Sequence, residues 1–220
     1  MEYAPIGVFA LLAGLIVDLA GDDPNNLITT LKPLLYYAIT VLIGLAFMIF
    51  IFYPIIIYSF TGVTFLNFLK AIFPAQMLAF STSSSAATLP ITLSIANDNF
   101  KTNKGVSNFV LPLGATMNMD GTALYEAAAA LFIANLVGMD LTLAQQLILF
   151  LTAMVASIGA PGIPSAGMVT MAMVLQVLGL PLEALALLLP MDRLLDTFRT
   201  TINVEGDLTG ALIVQKIAKL

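Results

Sequence analysis

The chain is a series of apolar runs whose polar interruptions carry the information. Residues 3–20 are almost wholly apolar and end at Gly21-Asp22-Asp23-Pro24-Asn25-Asn26, a cluster of turn formers. Residues 31–60 form a second apolar run, with Pro33 near its start and Pro54 near its end. Both runs reach the ~18 residues that suggest a spanning helix. Ala71–Phe80 then runs into the Ser-rich stretch 81–90, and 91–96 leads out again. Neither arm is long enough to cross, so residues 71–96 are expected to form a re-entrant hairpin with its tip at membrane depth. Residues 106–137 are long enough to span, but Gly114–Thr122 interrupts them, which predicts a helix unwound for about a turn. Residues 141–179 repeat the hairpin pattern around SIGAPGIPSAG (157–167), where Gly and Pro cannot continue a helix. A final helix is expected over 182–215.

That last segment carries charge in an otherwise apolar chain. On a helix, Asp192, Asp196, Arg199, Asn203 and Asp207 fall within roughly 80° of one another. Thr200 lies at the edge of this stripe, while Glu205 points to the far side and Arg193 lies off it.

Composition gives the stripe its meaning. Of 220 residues, 60% are hydrophobic and 10% charged, and the mean hydropathy is +1.00. A soluble chain of this length could not hide so much apolar surface, so the fold class is an all-α membrane protein. Charged groups at mid-helix then cost roughly 2.5–3.5 kcal/mol each, and several together point to function. The structural alternative is a set of internal ion pairs, such as Asp196 with Arg199. The chain has no Cys and no His, which removes thiolate chemistry, His-metal sites and Ser-His-Asp triads. The basic residues are spread thinly, with no nucleic-acid signal. An intramembrane aspartyl protease would need Gly where Val204 stands, so an enzyme is not expected.

The start has no basic leader and no cleavage site. Residues 1–27 are therefore expected to be the remainder of an earlier helix and its outer loop, with upstream helices absent and 28–220 a separate core. Placing Lys70, Lys101, Lys104, Lys216 and Lys219 on one face puts the C-terminus in the cytoplasm. The second hairpin then opens from outside. Hairpin followed by broken helix occurs twice from opposite faces, with Asn118-Met-Asp-Gly-Thr matched by Asn203-Val-Glu-Gly-Asp. This suggests an inverted-topology repeat with two discontinuous helices.

The chemistry of these parts is consistent. Freed carbonyls around Gly114–Asn118, Ser157–Ala160 and Asn203, beside Asp120 and Asp207, are hard oxygen donors suited to Na⁺. Helix N-termini at the hairpin tips suit a carboxylate. Arg199 can grip a second carboxylate, and Asp196 can pair with an ammonium.

SSSAATLP (83–90), LPLGATMNMDGTALYEA (111–127), SIGAPGIPSAG (157–167) and LLDTFRTTINVEGDLTG (194–210) together resemble the glutamate transporter family, the dicarboxylate/amino acid:cation symporters. Members of that family are among the transporters from which the inverted-repeat rule was drawn. The resemblance implies Na⁺-coupled symport of aspartate or glutamate by alternating access, in an assembly expected to be a homotrimer in the lipid bilayer. It places Arg199 on the substrate side-chain carboxylate and Asp196 on the amino group, with Thr200 and Asn203 adding hydrogen bonds. Ser84, Ser85 and Thr122 help hold the substrate, and Ile163 and Gly167 close over it. One Na⁺ is implied at Asp207 with carbonyls of Gly114, Asn118 and Asn203. A second is implied near Thr116, Ser157, Ile158 and Ala160, and a third at Asp120 and the Asn118 side chain. Glu126 matches the animal pattern tied to proton and potassium coupling. No organic cofactor is implied.

Two readings stay open inside the family, an acidic amino acid carrier and a C4-dicarboxylate carrier. Asp196 beside Arg199 favours the first, since a dicarboxylate has no ammonium to pair. A third is that the 220-residue chain alone is an inert part of such a transporter. Ser83 and Thr197 stand where the family carries a further Arg, and Arg193 and Asp192 have no assigned part.

Overall fold

The computed structural model describes Val17 and residues 24–218, and the helix expected over 3–20 lies outside the described residues except for Val17. Among the described residues every regular element is helical. Helix α1 (Pro24–Phe47) passes through a π turn, Met48–Phe52, into α2 (Tyr53–Thr61). The wide turn lies just before Pro54, whose ring would collide with the carbonyl four residues back in a regular helix. Gly62 ends α2 at φ 74°, donating its N–H to the Tyr58 carbonyl at 3.0 Å.

Helices α3 (Phe65–Thr82) and α4 (Ser85–Ser94) pack on each other across a turn of only Ser83 and Ser84. The Ser-rich stretch is thus mostly helical, because Ser84 caps α4 by accepting the Ala87 N–H at 3.2 Å. Helix α5 (Lys104–Met117) is separated from α6 (Asp120–Leu136) by Asn118 and Met119 alone. Their dihedrals, φ −103°/ψ 84° and φ −115°/ψ 54°, are not helical. Helix α7 (Leu143–Ile158) opens on a capping box of Thr142 and Gln145. It pairs with α8 (Ala166–Val177) across the Gly/Pro-rich segment 159–165.

Helix α9 (Leu185–Ala218) runs for 34 residues without interruption. The second broken helix expected near Asn203 does not form. Its Gly206 serves close approach instead of a break: a Cβ there would lie 2.6 Å from both Asn118 Nδ2 and Tyr53 Oη. Every residue from Ile202 to Thr209 is buried, as expected for a helix enclosed on all sides. Helix α9 lies between two apolar clusters. Ile202 and Leu195 join one with Tyr37, Tyr125, Leu149 and Val174, and Val204 and Leu208 join the other with Ile57, Phe68 and Leu111.

The outside is as apolar as the inside. Phe109 is 69% exposed, Val155 70% and Val169 67%, and a surface of this kind is stable only against another apolar phase. Lys32–Thr61 is long and apolar enough to cross a membrane by itself.

Candidate functional site

The two hairpin tips meet. The Ser84 hydroxyl donates to the Gly162 carbonyl at 2.7 Å, and the Ala86 N–H donates to the same oxygen at 3.2 Å. One carbonyl thus receives two donors from the first tip, one of them a backbone N–H in the opening turn of α4. Beneath this junction lies a small, partly open cavity of about 10 Å³ with polar and apolar lining. Ser83, Ser85, Thr122, Ile163, Gly167, Asp196, Thr200 and Asn203 are among the residues that line it. The sequence reading included all of these except Ser83. It missed Met119, Pro161, Gly162 and Ala166, none of which carries a polar side chain. Ser84 is spent on the tip junction, and neither it nor Arg199 lines the cavity.

Arg199 is wholly buried. Its Nη2 donates to Asp196 at 2.7 Å and to Asp192 at 3.1 Å, and its Cζ lies 3.8 Å from the centre of the Tyr125 ring. One edge of the guanidinium is therefore paired with two carboxylates, while Nε and Nη1 have no hydrogen-bond acceptor among the described residues. Nη1 would lie 3.0 Å from a Cβ added to Gly167, so the free side faces a cavity wall where a larger residue would crowd it. Asp192, an unassigned member of the stripe, proves to be the second carboxylate on this arginine. Asp196 also accepts the Ser165 N–H at 2.9 Å, and Arg193, on the rim, lies 3.6 Å from it.

A second polar cluster forms where α9 meets the break between α5 and α6. Asn118 Nδ2 donates to Asp207 at 3.0 Å and to the Asn203 carbonyl at 3.4 Å. A Cβ on Gly114 would lie 2.5 Å from Asp207 Oδ1, so glycine is required for the carboxylate to sit there. Tyr53 donates to Asp120 at 2.5 Å. The Asn203 side chain accepts the Gly121 N–H at 2.8 Å and reaches Thr122 at 3.3 Å, joining this cluster to the cavity. The carboxylates of Asp120 and Asp207 and the Asn203 carbonyl are hard oxygen donors of the kind a monovalent cation uses, and here the Asn118 amide nitrogen donates to Asp207 and to that carbonyl. Thr116, Ser157, Ile158 and Ala160 are not brought into such a cluster. Thr116 is exposed and donates to Leu113, Ser157 donates to Met154, and Ile158 is exposed. Ala160 lines the cavity.

Two further buried carboxyls face helix partners. Glu126 accepts the Thr170 hydroxyl, and its Oε2 has no hydrogen-bond donor among the described residues. Glu205, on the far side of α9, accepts Gln76 of α3 at 2.9 Å. The partners Tyr53, Gln76, Tyr125 and Thr170 lie far along the chain from these charges or on other faces, and nothing local in the sequence marks them. A wider groove of about 770 Å³ between α1 and α6, lined by Tyr36, Tyr37 and Phe132, shares no residue with the cavity.

Comparison with known proteins matches this architecture to a family. Residues 1–217 match the sodium:dicarboxylate symporter family. An excitatory amino acid transporter of Caenorhabditis elegans is 45% identical over all of this chain. Excitatory amino acid transporter 2 of Mus musculus is 46% identical, and excitatory amino acid transporter 3 of Oryctolagus cuniculus 43%. This chain spans 42%, 37% and 41% of those relatives. On the strength of a match over nearly its whole length, the chain belongs to the sodium:dicarboxylate symporter family.

Proposed function

We propose that the protein is a Na⁺-coupled secondary active symporter of acidic amino acids, L-aspartate or L-glutamate, working by alternating access. Membership of the family makes it an integral membrane protein. One observation carries the substrate reading: Arg199 is sealed from water, pairs through Nη2 with Asp192 and Asp196, and keeps Nε and Nη1 without acceptors among the described residues, Nη1 lying beside Gly167. A buried cation left short of acceptors recognises an anion, and a guanidinium suits a carboxylate.

The roles follow from position. Arg199 takes the substrate side-chain carboxylate. Asp196, which lines the cavity, takes the ammonium after giving up the Ser165 N–H. Ser85, Thr122, Thr200 and Asn203 supply hydrogen bonds, and the Ser84 cap turns the N-terminus of α4 toward the α-carboxylate, which takes the Ala86 N–H once the tips part. Na⁺ travels as co-substrate at Asp207, Gly114, Asn118 and Asn203, with a further ion at Asp120 and Asn118. Thr116, Ser157, Ile158 and Ala160 form another cation position once the outer tip moves. Glu126 carries a proton.

Movement is required, because about 10 Å³ holds no more than a water and an amino acid does not fit. The outer hairpin, α7–α8, is the mobile gate, with Ile163 and Gly167 closing over the substrate. We place both hairpins as re-entrant, related by an inverted-topology repeat, within a transport core of residues 28–220 whose C-terminus is cytoplasmic. Residues 1–27 belong to the scaffold of a homotrimer. The protein transports and does not catalyse a covalent reaction.

Competition against labelled aspartate tests the substrate class. L-Aspartate and L-glutamate should displace it well and succinate at least tenfold less well. Equal displacement by succinate favours the C4-dicarboxylate reading, in which Asp196 serves only as the partner of Arg199.

A further inference from the structure

Glu126 and Thr170 make a contact that the transport scheme above does not use. Glu126 lies on α6 and Thr170 on α8, the inner arm of the outer hairpin, and both side chains are buried. The Thr170 hydroxyl donates to Glu126 Oε1, while Oε2 has no donor. The same hydroxyl lies 3.3 Å from the Gly167 carbonyl and 3.4 Å from the Ala166 carbonyl, the acceptors a helical threonine ordinarily uses. It thus has one proton and three oxygens within reach.

We propose that Thr170 is a positioning residue that lets the outer hairpin close over Glu126 in both of its charge states, an inference that rests on reading Glu126 as the proton carrier. When Glu126 is ionised, Thr170 donates to it, as in this structure. When Glu126 takes a proton from solvent, its new O–H donates to Thr170 Oγ1, and the threonine proton turns to the Gly167 or Ala166 carbonyl. One bond between α6 and α8 is kept in each state, and no proton is lost or gained by Thr170. Gly167 also forms the cavity wall beside Arg199, so the proton's position is felt where the substrate binds.

The surroundings leave this task to Thr170. Helices α1, α7, α8 and α9 pack on α6. Neither α7 nor α8 carries a titratable side chain. From α9 the Arg199 guanidinium acts on Glu126 electrostatically, already paired with Asp192 and Asp196. From α1 the titratable groups are Lys32, Tyr36 and Tyr37, and Tyr37 is stacked on Phe132. On α6 itself Asp120 is held by Tyr53 and Tyr125 by Arg199. Without the Thr170 hydroxyl, an ionised Glu126 would be sealed in with no hydrogen-bond donor, which is costly.

The test uses the absence of cysteine from the sequence. Ile163→Cys at the exposed outer tip gives a single reporter whose alkylation rate measures hairpin opening. In the full chain, Thr170→Val should raise the rate in both buffers, about twofold in acidic buffer, where a neutral bond is lost, and about fivefold in alkaline buffer, where the ionised carboxyl loses its donor. Thr170→Ser should behave like the native residue, and in a Glu126→Gln background, where the amide N–H stands in for the protonated acid, Thr170→Val should show only the smaller rise, the same in both buffers. An unchanged rate in both buffers overturns the inference, as does an equal rise in both or an alkaline excess that survives Glu126→Gln. Should the coupling hold while aspartate uptake is independent of pH, the inference stands and the proton-carrier reading of Glu126 falls.

Discussion

The Ser84 hydroxyl donates to the carbonyl of Gly162, 78 residues away, at 2.7 Å, and so ties the tip of the first hairpin to the tip of the second. The same oxygen caps α4 through the Ala87 N–H. Ser84→Ala removes a cap worth about 1 kcal/mol and a tip bond worth about 1 kcal/mol. Thermal unfolding in detergent should show a lower midpoint, and Ser84→Thr should restore most of the loss. An Ala variant as stable as the native protein would mean the junction is incidental.

Two glycines of α9 should respond in opposite ways. A Cβ on Gly206 would lie 2.6 Å from Asn118 Nδ2 and Tyr53 Oη, whereas one on Gly210 meets nothing within 4 Å. Gly206→Ala should push apart the oxygen cluster and weaken apparent Na⁺ affinity about tenfold, or roughly 1.4 kcal/mol. Gly210→Ala should keep Na⁺ affinity and gain up to about 1 kcal/mol in helix stability. Titration of Na⁺-dependent aspartate binding separates the two, and equal behaviour would contradict the placement of the cation site.

The Arg199 pairing predicts a change in substrate class. Arg199→Cys should abolish recognition of acidic substrates while neutral amino acids keep a foothold through Asp196. Asp196→Asn should weaken substrates with an ammonium group and spare dicarboxylates. Because each variant strips a partner from a buried ion cluster, a stability loss of about 3–5 kcal/mol is also expected. Binding is therefore compared only for variants that remain monodisperse. Unaltered aspartate affinity in Arg199→Cys would remove this residue from the site.

Gln76 and Glu205 make a buried bond at 2.9 Å between α3 and α9, and Glu205 Oε1 has no donor. Gln76→Leu should cost about 1–3 kcal/mol by stripping the carboxyl of its only side-chain donor among the described residues. The double variant Gln76→Leu/Glu205→Leu should recover most of that loss, since two apolar groups leave nothing unsatisfied. A denaturant titration of the four proteins gives the cycle, and additive losses would mean that the two residues do not act together.

These predictions differ in how far the sequence alone reaches them. Both helix pairs and the break at Asn118–Met119 follow from apolar arms too short to span and from Gly and Pro that stop helices. The stripe of Asp196, Arg199, Thr200 and Asn203 follows from helical periodicity, and Asp196, Thr200 and Asn203 do line the cavity. The N-x-acid-G-x match between Asn118 and Asn203 misleads about conformation. At Asn118 the chain breaks, while around Asn203 it stays helical, because packing from every side holds that stretch in register. The tip junction, Tyr125 beneath Arg199 and Gln76 against Glu205 join residues distant in sequence or on faces that periodicity does not pair.

Uptake of labelled L-aspartate into liposomes bearing the protein, with and without an inward Na⁺ gradient, tests the central claim most directly. Accumulation above equilibrium should occur only with the gradient and should collapse when the gradient is dissipated. Uptake by folded protein that reaches the same level with and without Na⁺ would contradict the account.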